Sequence, residues 1–147
     1  MTDDSNAVEI LIVEDNETDL ELTLRALRKK NLGNRISIVR DGAEALDYLR
    51  NDGAYSDRPP TNPRVVFLDL KLPKIDGLEV LRAIKSDPNL ASIPVVVLTS
   101  SAEERDRVES YQLGANSYIV KPIEFDDFAR AISDAGFYWM VLNQPAP

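Results

Sequence analysis

Histidine is absent from this 147-residue chain, and so is cysteine. Without histidine there is no Ser-His-Asp triad, no imidazole general base and no histidine ligand for zinc. Without cysteine there are no disulfides and no thiolate metal sites, a composition that suits the cytoplasm. No apolar run approaches the roughly 18 residues of a membrane span, so no membrane partner is expected. The amino terminus, M-T-D-D-S-N-A, is acidic and polar, unlike a signal peptide. Basic residues are outnumbered, and the net charge of −8 argues against a nucleic-acid surface, which needs a basic patch. Any chemistry must come from carboxylates, hydroxyls, lysines or a bound cation.

What is present is the composition of one globular domain: 44% apolar and 29% charged residues, with no internal repeat. The chain is expected to divide into a frayed tail at 1–7, one domain over 8–143 and a short tail at 144–147. Val65 to Leu68 (V-V-F-L) run straight into Asp69, and L-K-L-P-K-I-D-G follows. An apolar run without alternation reads as a strand buried on both faces. Asp69 then stands where a buried strand opens into a loop, which is where open α/β sheets bind ligands.

The rest of the chain repeats this plan. Val8 to Val13 form a first strand ending on Glu14 and Asp15, with Asn16 placed to cap the next helix. Leu20, Leu24 and Leu27 give that helix an apolar stripe, and Leu22 lies off it, so Leu22 is expected to be exposed. Gly33 reads as the stop of that helix. Arg35 to Arg40 read as an edge strand. Pro94 to Leu98 form a fourth strand ending on Thr99, and Ser117 to Val120 a fifth ending on Lys121. Asp41 with Glu44, Asp76 with Glu79 and Ser101 with Glu104 carry the spacing of capping boxes. Residues 51–64, with three prolines, form a long loop. Strands and helices alternating five times imply a doubly wound, parallel five-stranded α/β sheet. In the order 2-1-3-4-5, strands 1 and 3 are neighbours.

That order gathers Glu14, Asp15, Asp69, Thr99 and Lys121 on one sheet edge. Two unit charges ~4 Å apart repel by roughly 4 kcal/mol at an effective dielectric of 20, so three carboxylates need a cation or a raised pKa. Lys121 supplies one positive charge. A hard divalent ion with oxygen ligands, such as Mg²⁺, supplies more. A hydroxyl and an ammonium beside the carboxylates suit a phosphoryl group's oxygens, and carboxylates do accept phosphoryl groups.

The stretches I-L-I-V-E-D-N, V-V-F-L-D-L-K-L-P-K-I-D-G, V-V-V-L-T-S-S and G-A-N-S-Y-I-V-K-P, with their spacing, resemble the receiver domain of two-component response regulators, the CheY-like fold. The combination of V-E-D-N, L-D-L-x-L-P, the Pro-rich loop at 51–64 and the ending F-Y-W-M-V-L-N-Q-P more narrowly resembles single-domain regulators of the cyanobacterial-phytochrome type. The resemblance implies a phosphoacceptor module rather than a turnover enzyme. Asp69 would accept phosphate from a phosphohistidine of a partner kinase, a phytochrome-type kinase on the narrower resemblance. Asp15, Asp69 and the Lys71 carbonyl would ligate Mg²⁺, with Glu14 acting through water. Thr99 and Lys121 would hold the phosphoryl oxygens, and Tyr118 would be the switch aromatic beside Thr99. The Lys121-Pro122 bond would be cis.

Two enzyme-like readings fit less well. A haloacid-dehalogenase type needs a second acid two residues after its Asp nucleophile, where this chain has Lys71. A flavodoxin-like flavin site needs a Ser/Thr-Gly phosphate loop after strand 1. A receiver-shaped scaffold that is never phosphorylated would not need the full set of Glu14, Asp15, Asp69, Thr99 and Lys121. No output domain fits in the residues after Ile132, so the module is expected to act by protein contact or by passing phosphate on. Leu22, Pro122 and Ile123 are the expected kinase-docking residues. The last helix, beginning near Glu124, carries Phe125, Phe128, Ile132, Ala135, Trp139 and Leu142 inward. Phe137, Met140 and Val141 then project elsewhere and, with Tyr118, are expected to form a homodimer contact.

Overall fold

The computed structural model describes residues 9–29, 35–100, 103–121 and 125–139, without the side chains of Phe125, Phe128, Ala129 and Phe137. Five strands, β1 (Ile10–Val13), β2 (Ile36–Val39), β3 (Val65–Leu68), β4 (Val95–Thr99) and β5 (Ser117–Val120), alternate with five helices. The helices are α1 (Glu17–Lys29), α2 (Gly42–Arg50), α3 (Gly77–Ser86), α4 (Glu104–Gln112) and α5 (Phe125–Phe137). All strand pairs are parallel, in the order β2-β1-β3-β4-β5.

The three central strands are buried at every position, as an uninterrupted apolar run requires when helices cover both sheet faces. Alternate residues of each strand enter two separate cores. Leu11, Val13, Val66 and Leu68 pack with Leu46, Leu49, Leu81 and Ile84 of α2 and α3. Ile10, Ile12, Val65 and Phe67 pack with Leu20, Leu27 and Ile132 of α1 and α5. β2 and β5 are the edges, and most of their residues are only half-buried.

Register carries this order to the sheet edge. Val13 pairs with Leu68, so β1 and β3 end level with each other. The ladder continues one step further: Asp69 N–H donates to the Val13 carbonyl at 3.1 Å, and Lys121 N–H to the Thr99 carbonyl at 2.7 Å. Gly77, the first residue of α3, is pressed against the same turn. Its N–H donates to the Leu70 carbonyl at 2.8 Å, and a Cβ there would lie 2.3 Å from the Asp69 carbonyl oxygen.

Several expected local features are present. Asn16 Oδ1 accepts from Asp19 N–H at 2.9 Å, and Asp41 Oδ1 from Glu44 N–H at 2.7 Å, each capping a helix. Asp76 makes no side-chain cap bond, despite the same spacing to Glu79; its backbone, at φ −61° against −150° at Asp41, differs from that of the capping residue. α4 starts after Glu103, which also makes no side-chain cap bond; Ser101 lies outside the described residues, as does Gly33. Leu22 is not exposed. It is half-buried against the α1/α5 core, because α5 packs along α1 and widens the covered face beyond a single stripe. α5 runs through Gly136, with Ile132, Ala135 and Trp139 facing the core. Pro122 and its peptide bond, Ile123, Glu124, Met140, Val141, Leu142 and both expected tails lie outside the described residues.

Residues 51–64 form a bound loop rather than a slack one. Arg58 lies over the Tyr48 ring at 4.2 Å. Its guanidinium donates to the Tyr48 carbonyl at 2.9 Å, the Thr61 carbonyl at 2.9 Å and Asn51 Oδ1 at 3.0 Å.

Candidate functional site

The site is built on the ends of β1, β3, β4 and β5. Glu14 follows β1 and is buried, at 2% exposure. Asp69 follows β3 and is 8% exposed, while Thr99 closes β4 with no exposure at all. Lys121 follows β5 and is also buried. Asp15 is exposed beside them. Taking this many ionisable groups out of water is costly unless they pair, and they do.

Lys121 Nζ is the hub. It is ion-paired with Glu14 Oε1, lies 3.1 Å from Asp19 Oδ2 and 3.3 Å from Asp69 Oδ2. Asp69 Oδ1 accepts from the Lys71 N–H at 3.3 Å, and Glu14 Oε2 from the Asn16 N–H at 3.3 Å. The Lys71 backbone therefore turns against Asp69, while its side chain belongs to an exposed residue. Tyr118 pairs in register with Val97 and is half-buried against the α2/α3 core.

Burial pushes the Glu14 carboxyl up to about 8, and its hydrogen bond with Asp69 adds to this against the pull of Lys121. Burial works the opposite way on Lys121. There the bonds and charges of Glu14, Asp69 and Asp19 outweigh it and hold the ammonium above its ordinary value. A buried carboxyl and a buried ammonium are thus both set by one crowded acidic pocket.

Glu14, Asp15 and Asp69 each offer a carboxylate oxygen within 4.8 Å of the other two. Mg²⁺ binds oxygen ligands at about 2.0–2.1 Å, so two ligands of one ion lie at most about 4.2 Å apart, and this spacing is close to that limit. The donor set is all oxygen and carries an excess of negative charge over Lys121. It fits a hard divalent cation.

The sequence reading placed Glu14, Asp15, Asp69, Thr99 and Lys121 on this edge, and they stand there. It missed Asp19. That residue lies one helical turn beyond Asp15, in the first turn of α1, where an acid is ordinary because it complements the helix dipole. Only its height above the β5 end reveals the contact with Lys121. Among the described residues, no helix is long and apolar enough to cross a membrane.

The fold is shared with known proteins. The response regulator Rcp1 of Synechocystis is 39% identical over 141 residues, covering 95% of both chains. A structure of Rcp1 in its Mn²⁺-bound form superposes with a TM-score of 0.87 at 36% identity, covering 95% of this chain and 99% of that one. The phosphorylated cyanobacterial phytochrome response regulator RcpA gives a TM-score of 0.87 at 39% identity, with 95% and 99% of the chains covered. The bacteriophytochrome response regulator AtBRR is 57% identical, with a TM-score of 0.75 and 93% and 98% coverage. The sequence model of the response regulator receiver domain matches residues 10–133. That match sets aside the dehalogenase-like and flavodoxin-like readings. With its five-stranded sheet and its acidic pocket around Lys121, the chain belongs to the response regulator receiver family of two-component signalling.

Proposed function

We propose that this receiver domain accepts a phosphoryl group on Asp69 from the phosphohistidine of a sensor kinase. On this reading, one Asp69 oxygen attacks phosphorus. The new O–P bond forms as the P–N bond to the donor imidazole breaks, and the imidazole nitrogen keeps the bonding pair. The observation that carries the reading is Asp69 level with Glu14 on the sheet edge, 3.3 Å from the Lys121 ammonium. The absence of histidine from the chain requires the donor histidine to sit on the partner.

Asp15, Asp69 and the Lys71 carbonyl would hold Mg²⁺, with Glu14 acting through water. When bound, the ion supplies positive charge against the phosphoryl oxygens. Lys121 offers its N–H donors to those oxygens, and Thr99 its hydroxyl. Tyr118 of β5, paired with Val97 of β4, follows Thr99 as the switch aromatic. Mutual attraction within the pocket is what phosphorylation alters, and the output is a changed protein contact or onward transfer of the phosphate. Self-catalysed phosphorylation and dephosphorylation are the only chemistry required.

The phosphotransfer partner is a histidine kinase, and the likeness to Rcp1, RcpA and AtBRR favours a phytochrome-type photoreceptor kinase. The kinase docks over α1 near Leu22 and over Pro122 and Ile123. A homodimer contact is made through Tyr118 and Phe137, together with Met140 and Val141 of the following sequence. Tyr138 is exposed there and stacks edge-on against Trp139, with ring centroids 4.8 Å apart. The cytoplasm is the compartment in which such a kinase domain meets its regulator.

The test is incubation with phosphorylated kinases and Mg²⁺, following transfer of label. Asp69→Asn should fold and take none. Unchanged labelling of that variant would remove Asp69 from its role.

A further inference from the structure

An ammonium carries three N–H donors. In this pocket Lys121 has three carboxylate partners: Glu14, Asp19 and Asp69. Two of them stand at strand ends. The third, Asp19, is supplied by α1, and its position is built rather than incidental. Its N–H donates to Asn16 Oδ1 at 2.9 Å, and its carbonyl accepts from Thr23 Oγ1 at 2.9 Å. The start of a helix also favours a carboxylate there. Asp19 is only partly covered, with a quarter of its side chain exposed.

We propose that Asp19 is a positioning residue for phosphoryl transfer, acting through Lys121; the proposal rests on Asp69 being the acceptor. Before transfer, the Asp69 carboxylate shares one negative charge between two oxygens, and one of them holds a Lys121 N–H. During transfer one Asp69 oxygen bonds to phosphorus, and the donor's bond to phosphorus breaks with the pair leaving on the donor. Lys121 keeps all its protons. The product is an acyl phosphate. Its carboxyl oxygens no longer carry the charge, which now lies on the phosphoryl oxygens. One Lys121 N–H therefore loses its charged acceptor and finds a new one on the incoming group. With Glu14 and Asp19 holding the other two N–H groups, that third donor already points toward Asp69. Without Asp19 the ammonium keeps only Glu14 and Asp69, and as Asp69 loses its charge it can turn onto Glu14.

Asp19→Ala, Asp19→Asn and Asp19→Glu in the full chain test this, with acetyl phosphate and Mg²⁺ as the probe and donor concentration varied. Asp19→Ala should lower the maximal labelling rate about tenfold, the scale set by one charge-assisted hydrogen bond. The half-saturating donor concentration and the Mg²⁺ affinity should change little. Asp19→Asn, which keeps an acceptor but no charge, should fall between, and Asp19→Glu should recover part of the rate. In metal-free protein, NMR should find the Lys121 ammonium protons protected from exchange in the parent chain and unprotected in Asp19→Ala. Full-rate labelling of Asp19→Ala beside a labelled parent would overturn this proposal alone. So would a loss of rate matched by lost Mg²⁺ affinity and a lost fold. A parent chain that takes no label from any donor would overturn the acceptor reading itself, and this proposal with it.

Discussion

Raising the pH from 5 to 8.5 without divalent cations should weaken the fold, and Glu14 is the reason. Its carboxyl ionises near 4.5 when exposed and near 8 when buried beside Asp69. Between those values the folded chain holds a proton that the unfolded chain has released. Stability must then fall as the pH rises, by about 1.4 kcal/mol per pH unit while one proton separates the states. Over the whole interval the ceiling is roughly 5 kcal/mol, a large part of the 5–15 kcal/mol typical of a domain. The contribution is fully present below the unfolded value and is gone above about 8. The composition makes the measurement clean. With no histidine in the chain, few other groups titrate in this window apart from the amino terminus. Urea denaturation in chelator across the window should give a steadily falling stability. Glu14→Gln should flatten the curve and leave the metal-free protein more stable than the parent at pH 8. An amide can still accept from Lys121, which keeps Asp19 and Asp69 as charged partners. Mg²⁺ favours the ionised carboxylates, so adding it should reduce the slope, and its affinity should rise with pH. A metal-free stability that is level or rises across this window would refute the argument.

The sheet was legible because its signals are local and repeated. Apolar runs such as Val65–Leu68 are four residues long and end on chemistry-bearing residues at one edge, and alternation with helices fixes that edge. Capping was only half legible. Asp41 and Asp76 present the same spacing to a glutamate, yet only Asp41 makes the bond. The two caps differ in backbone conformation, with φ −150° at Asp41 and −61° at Asp76, a difference that residue spacing does not announce. Leu22 was misread because periodicity describes one helix at a time, and the neighbour that covers it, α5, comes from the far end of the chain. Asp19 was missed for the same reason in reverse. An acid in a helix's first turn has an ordinary explanation, and Glu17 beside it does pair outward with Arg40. Which of the two reaches the pocket depends on how α1 sits over the sheet edge, a tertiary fact.

Three further outcomes are expected. Asp15→Ala should abolish the Mg²⁺-dependent rise in melting temperature, which for the parent amounts to about 0.4 kcal/mol at a concentration equal to Kd; a rise that survives would place the ion elsewhere. Gly77→Ala puts a Cβ 2.3 Å from the Asp69 carbonyl oxygen and 2.4 Å from Leu70 Cα, so backbone must move. It should cost about 1–3 kcal/mol in urea denaturation and slow labelling of Asp69, and a neutral result would mean the turn is pliable. Arg58→Ala should loosen residues 51–64 while leaving Asp69 labelling intact. Its guanidinium makes three hydrogen bonds, to Tyr48, Thr61 and Asn51, and covers the Tyr48 ring. Net values near 1 kcal/mol for each of the three hydrogen bonds and 0.5–1 kcal/mol for a partly exposed cation–π contact give a loss of about 3.5–4 kcal/mol at most. Arg58→Lys should rescue little of it, since an ammonium cannot present the planar fork that reaches all three acceptors. Hydrogen exchange would place the loosening: faster exchange confined to 51–64 supports the clamp, and unchanged protection there would show that the loop holds itself by its prolines and turns alone.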